Sequence, residues 1–211
     1  MQTDDETVLE LTAQASEEPL LLDELMPEAD ATLAEHVVVA ADPETTWHAA
    51  MELDFLAVHT PLMDAAFAVR GAPARLSAWV RRTDPPAPPP AMRLGHVMSE
   101  GGLEGWSVLG ERPGNETVFG AIGRFWTPQI TWRPADPEGF AAFAEPGWGK
   151  IACNLSVRPY GATHTLLTYD VRTLTTDPAS RAKFLRYWRL IRPFVGHIMR
   201  ATVRTIADPF A

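Results

Sequence analysis

Between Lys150 and Leu174 the chain, KIACNLSVRPYGATHTLLTYDVRTL, reads as two strands that fit one another in a single register. A three-residue loop at Gly161-Ala162-Thr163 sets Tyr160 against His164. Val157 then faces Leu167, Leu155 faces Tyr169 and Cys153 faces Val171, while Ser156, Asn154 and Ala152 face Thr168, Asp170 and Arg172. Side chains alternate across a strand, so this register gives both strands one apolar and one polar face. A slip of one residue would scramble both. An antiparallel pair of this kind must bury its apolar face against another element.

The partner is FLRYWRLIRPFVGHIMR, Phe184 to Arg200, inside a helix predicted over 178–206. At 100° per residue Phe184, Tyr187, Trp188, Ile191, Phe194, Val195, Ile198 and Met199 fall within an arc of about 140°. Arg186, Arg189, Arg192, Arg200 and Arg204 fall outside it. Pro193 lies on the opposite face, where it bends the helix toward its apolar side. Its cost of about 3 kcal/mol is offset by apolar side chains that contribute about 1.5–3 kcal/mol each when buried. A bent helix laid over a curved antiparallel sheet, with a gap between them, is the helix-grip arrangement. Such a gap is apolar with few polar groups, the usual character of a small-molecule site.

The remaining segments fit an α+β class. LAEHVVVA (33–40) is strand-like. Asp42-Pro43, Thr60-Pro61, Asp136-Pro137 and Asp177-Pro178 each place a capping side chain before proline, which predicts helices near 43–53, 61–70, 137–144 and 178–206. Residues 73–82 read as a short helix and DPPAPPP as a stiff extended connection. Around the turn signal RPGN the chain predicts a hairpin, 105–112 with 116–126, and ITWRP a further short strand. Strands and helices are not in βαβ alternation, so a parallel sheet is not expected.

Charge divides the chain in two. Residues 1–30 hold ten carboxylates and no Lys or Arg, whereas the remainder has 17 acids and 18 bases. The expectation is an acidic, mostly disordered arm over 1–30, with a leucine patch at Leu20, Leu21, Leu22 and Leu25, joined to one domain over 31–211. The net charge of −9 gives no basis for nucleic-acid binding. No run approaches the roughly 18 apolar residues of a membrane span, so integral membrane association is not expected. The acidic N-terminus lacks the features of a secretory signal, and the single Cys153 forms no intrachain disulfide; a cytoplasmic protein fits.

The segments VAADPETTWHAA, ERPGNETVFGAIGRFW, FAAFAEPGWGKIACNLSV, LTYDVRTLTTD and RYWRLIRPFVGHIMR together resemble the START-like, or SRPBCC, superfamily over Glu35 to Asp208. The nearest resemblance is to polyketide-cyclase-like members from actinobacteria. Members often carry L-x-T-E-T-R-V in the last strand. Asp170 stands at their Glu and Arg172 at their Arg, but Tyr169 and Val171 replace the two threonines. The resemblance implies a single START-like domain in which a curved antiparallel sheet wraps the long C-terminal helix. It does not fix a function, because the superfamily spans carriers, sensors and cyclases.

Trp126, Tyr169, Tyr187, Trp188 and Phe194 are the candidate apolar contacts to a small apolar or amphipathic ligand, with Arg124 orienting its polar end. Arg124 is inward only if the even side of its strand faces the cavity; otherwise it lies at the surface. Asp170 and Arg172 are either a polar anchor inside the pocket or a solvated ion pair on the outer face, and the register favours the outer face. Gly114, Gly120 and Gly123 lie in and beside strands, which argues for close backbone approach and not a phosphate loop. The six histidines (His36, His48, His59, His96, His164, His197) show no metal-ligand spacing. No Ser-His-Asp or Cys-His grouping stands out, and no cofactor or metal is expected. Three readings follow: a binding module, a cyclase/dehydratase-like enzyme using the same cavity, and an interaction protein whose acidic arm docks on the helix arginines or on a partner. Self-association into a homodimer stays open.

Overall fold

Asp42, Asp136 and Asp177 each begin a helix in the computed structural model of the chain, which describes residues 19–54, 105–127 and 129–211. Asp42 Oδ1 accepts from the Thr45 N–H at 2.9 Å and opens α2, while α1 is a short helix before it, at Leu21–Leu25. Helix α2 covers Pro43–Glu52. Asp136 Oδ1 accepts from the Gly139 N–H at 2.7 Å and opens α3, Pro137–Ala142. Asp177 Oδ1 accepts from the Ala179 and Ser180 N–H groups, each at 2.9 Å, and opens α4, Pro178–Ala207. A 3-10 turn, Asp208–Phe210, follows. The expected helices at 61–70 and 73–82 and the proline-rich connection lie outside the described residues.

The cap on α4 titrates. Ser180, through its hydroxyl and then its N–H, together with the Gly147 and Ala179 N–H groups, holds the Asp177 carboxyl down at about 2. The folded value lies below the ordinary 3.8, so the cap's contribution is complete above 3.8 and is lost as pH falls toward about 2. The urea midpoint of Asp177→Asn should therefore fall less than that of the native chain on acidification through this window.

The strands are β1 (Ala31–Val39), β2 (Trp106–Arg112), β3 (Glu116–Gly123), β4 (Trp132–Arg133), β5 (Gly149–Tyr160) and β6 (His164–Thr175). They form one antiparallel sheet in the order β1-β6-β5-β3-β2, with β4 paired to the end of β3. The β5–β6 register is the one expected, from Tyr160 opposite His164 to Ala152 opposite Arg172. Gly161 sits in its loop at φ +68°, a conformation that needs glycine. The hairpin about RPGN and the short strand in ITWRP also form, although β3 stops at Gly123 and Phe125 and Trp126 belong to a turn.

One face of the sheet packs on α4 and α2. Cys153, Leu155, Val157, Leu167, Val171 and Phe119 project from the sheet onto Met199, Val203 and Ile206 of α4 and Trp47 and Ala50 of α2. Helix α4 lies along β1 and β6, and at Gly196 a Cβ would stand 3.5 Å from Leu33 Cδ2. Arg200 makes two hydrogen bonds to Glu35, at 2.6 and 3.1 Å, beside this contact. A six-stranded antiparallel sheet gripping one long helix makes the architecture α+β and helix-grip.

The opposite face corrects an expectation. It was read as solvated, but α1 and α3 cover it. Leu22 and Met26 are buried with Leu109, Val118, Ile122, Phe140 and Ala152. Residues 19–30, placed by composition in a disordered arm, are thus a helix and connector packed on the sheet; residues 1–18 lie outside the described residues. A five-residue helix has no stability alone, and here the sheet satisfies both of its ends. Glu116 of β3 accepts from the Leu21 N–H at 3.1 Å, and Arg172 of β6 donates to the Met26 carbonyl at 3.0 Å. Arg172 also holds Asp23 at 2.5 Å, and Arg112 holds Glu24 at 3.1 Å. The acidic segment therefore meets arginines of the sheet and, through Asp30, Arg181 at the start of α4 (2.8 Å). Of the two docking sites expected for the arm, the arginines of the C-terminal helix and a partner, the first is met at Arg181.

Candidate functional site

The apolar arc of α4 is buried at its ends and only partly covered between them. Phe184 and Met199 are 2% exposed, and Thr202, Val203 and Ile206 beyond them are buried. Tyr187, Trp188, Ile191, Phe194, Val195 and Ile198, all within the arc, are partly exposed. The sequence pattern made all eight one apolar face, with Tyr187, Trp188 and Phe194 on it as candidate ligand contacts. Met199, Val203 and Ile206 belong to the core cluster, and Phe194, Val195 and Ile198 pack against it while staying partly exposed.

An aromatic row lines one end of this region. Trp188 stacks on Phe184 with ring centroids 5.9 Å apart, and Phe184 meets Trp126 edge-on at 6.4 Å. Trp126 meets Phe125 at 6.4 Å, Phe125 meets Trp132 at 5.8 Å, and Trp132 reaches Trp106 at 6.4 Å. Trp106 then contacts Phe119 on the helix-facing side of the sheet at 5.7 Å. Edge-on and offset-stacked pairs, as at Trp126–Phe184 and Phe184–Trp188, are the favoured geometries of aromatic contact. Glycine makes room for it: a Cβ on Gly123 would come within 2.8 Å of the Phe125 ring, and one on Gly149 within 3.2 Å. Gly120 and Gly123 thus serve close approach, as read from the sequence, whereas Gly114 has nothing within 4 Å of a Cβ and serves its turn at φ +80°.

The structure brings Trp126 and Trp188 together through Phe184, and Phe194 packs against the core cluster beneath the same helix face. Tyr187 lies partly exposed one turn from Phe184. Tyr169 rises from β6 on the helix-facing side and touches Cys153. Arg124 does not join them. It follows the end of β3, is exposed, and stacks its guanidinium over Trp148 at 4.5 Å; Trp148 belongs to the opposite-face cluster. Phe184, Phe125 and Trp132 belong to the row, but sequence reasoning did not single them out as site residues. The signal was the density of aromatics in GRFWTPQITW and FLRYW.

The polar chemistry of the helix-facing side is muted. Burial pushes the Cys153 thiol up to about 12, and burial with the neighbouring thiol raises the Tyr169 phenol well above its ordinary range. Both groups are neutral donors at any physiological pH. On the opposite face Arg172 Nη2 lies 3.4 Å from Asp170 Oδ2, not in solvent but under α1, with Asp170 only 8% exposed. Among the described residues no cluster of three or more His, Cys, Asp or Glu side chains has metal-ligand geometry, and no helix is long and apolar enough to cross a membrane. His59 and His96 lie outside the described residues. A small cleft, with about 40 Å³ of free space, sits by the N-terminus of α1 between Arg112, Glu116 and Arg158. It has room for water only.

No family model and no curated protein matches this chain. Among solved structures it is similar to CalU16 from Micromonospora echinospora, at 13% identity and a TM-score of 0.26 over 85% of each chain. A conserved protein of unknown function, EF2215 from Enterococcus faecalis, is 13% identical with a TM-score of 0.28, over 85% of this chain and 73% of that one. The Zhui aromatase/cyclase from Streptomyces sp. R1128 is 15% identical with a TM-score of 0.27, over 83% of this chain and 93% of that one. The helix-grip arrangement itself stands on the register and packing of this chain.

Proposed function

We propose that the protein binds a small apolar or amphipathic molecule between the middle of α4 and the sheet. One observation carries the reading: six consecutive members of the apolar arc, from Tyr187 to Ile198, stay partly exposed while the helix is anchored at both ends. A helix whose aromatics had no guest to accommodate would gain about 1.5–3 kcal/mol for each large side chain it buried fully. Trp126, Trp188 and Phe194 supply the apolar wall, and the neutral Tyr169 hydroxyl supplies a hydrogen-bond donor for a carbonyl or hydroxyl. Arg124, turned to Trp148, is left out of this assignment. A cyclase-like reaction would need that hydroxyl to polarise a carbonyl, a role that requires a bound poly-carbonyl chain first.

Native mass spectrometry of protein purified from its own source tests for a retained guest. Displacement of a fluorescent fatty-acid analogue gives the affinity. Trp188→Ala and Phe194→Ala should each weaken binding about tenfold or more, the equivalent of one large apolar contact. Saturable binding that both variants leave unchanged would place the guest elsewhere, and no saturable binding by any apolar probe would end the proposal.

A further inference from the structure

Two buried oxygens beneath α1 have no donor among the described residues: Asn154 Oδ1 and Asp170 Oδ1. Asn154 is fully buried and Asp170 is 8% exposed. They are direct cross-strand partners on the same face of β5 and β6, so their side chains lie side by side. The amide cannot be turned to relieve the conflict. Asn154 Nδ2 donates to Glu116 Oε2 at 2.7 Å, and a flip would set the amide oxygen against that carboxylate. Two buried acceptors side by side are costly, and one proton on Asp170 turns the pair into a donor and an acceptor.

We propose that Asp170 is held as the neutral acid in the closed protein, donating its proton to Asn154 Oδ1, and that seating α1 over this pair takes up one proton from solvent. The surrounding charges agree. From α1, Asp23 faces Asp170 across Arg172, whose Nη2 lies 2.5 Å from Asp23 but 3.4 Å from Asp170. The second carboxylate of α1, Glu24, is held by Arg112 of β2, which also binds Glu116 of β3. Lys150 of β5 is turned away to the Phe140 and Ala141 carbonyls of α3. From β1, Ala34 lies opposite Asp170, and His36 bonds Thr168 two residues along. Burial raises the Asp170 carboxyl, Arg172 lowers it, and Asp23 raises it, with an upward result.

The sign follows. A carboxyl raised in the folded state contributes stability fully below its unfolded value of 3.8 and loses it as pH rises through the folded value. An ionised Asp170 would leave two carboxylates under α1 sharing one guanidinium, and lifting the helix hydrates both. Rising pH therefore loosens α1 from the sheet and uncovers the apolar face around Leu109 and Val118.

The carboxyl carbon of Asp170 in the intact, isotope-labelled chain reports its titration directly by NMR. Its midpoint should lie above the ordinary aspartate range and move down in Asp23→Asn. Amide exchange of Leu21–Leu25 should be several-fold slower in Asp170→Asn than in the native chain above that midpoint and equal below it. Asp170 titrating at or below the ordinary value would overturn the proposal. So would an Asp170→Asn variant whose α1 exchanges no more slowly at any pH.

Discussion

A chain lacking residues 1–26 is expected to lose about 5 kcal/mol or more of stability and to aggregate or unfold at neutral pH. The truncation removes Leu22 and Met26, both at most 1% exposed. Truncating even one such side chain to alanine costs about 2–5 kcal/mol. It also bares Leu109, Val118, Ile122 and Phe140, which form a contiguous cluster with them. Glu116, Arg112 and Arg172 would lose their partners at the two ends of α1. Domains are stable by only about 5–15 kcal/mol in total, so the loss is comparable with the whole. Urea unfolding of the truncated chain, with Leu22→Asp as a full-length counterpart, reads the effect. An unchanged midpoint in both would mean that the outer sheet face needs no cover.

Cys153 should be close to inert in the native protein. It is 3% exposed on the helix-facing side, and burial lifts its thiol to about 12 from an ordinary 9.0. Near pH 8 that shift alone lowers the reactive thiolate about a thousandfold, before any steric exclusion. Ellman's reagent should therefore react at least about a thousandfold slower with the native chain than with the same chain in urea. A native rate near that of a free thiol would mean an open floor beneath α4 and would return Cys153 to consideration as a nucleophile. With the expected result, a cysteine-based reaction in the proposed site is removed, and Tyr169 beside it is a neutral group.

Local rules carried the sequence reading far. The caps at Asp42, Asp136 and Asp177 were legible because a cap and its partner lie within three residues of each other. The β5–β6 register was legible because alternation leaves one pairing that sorts both faces. Alternation left Arg124 either inward or at the surface: β3 ends at Gly123, so the even–odd rule has no strand to act on there, and Arg124 is exposed. The wide arc on α4 was read correctly as a face. Which part of it is core depended on how α4 packs on the sheet and α2.

By itself, then, the sequence determined the elements, their order, one register and the presence of an apolar face on a long helix, all properties of residues near one another in the chain. The cover on the outer face was decided by tertiary structure alone. Asp23 meets Arg172 from 149 residues away, and Leu21 meets Glu116 from 95. A leucine patch among carboxylates scores as disordered until three distant side chains satisfy its helix ends and its charges. How far each member of the α4 arc is buried is likewise decided by the packing of layers, which no pattern along one strand or one helix encodes.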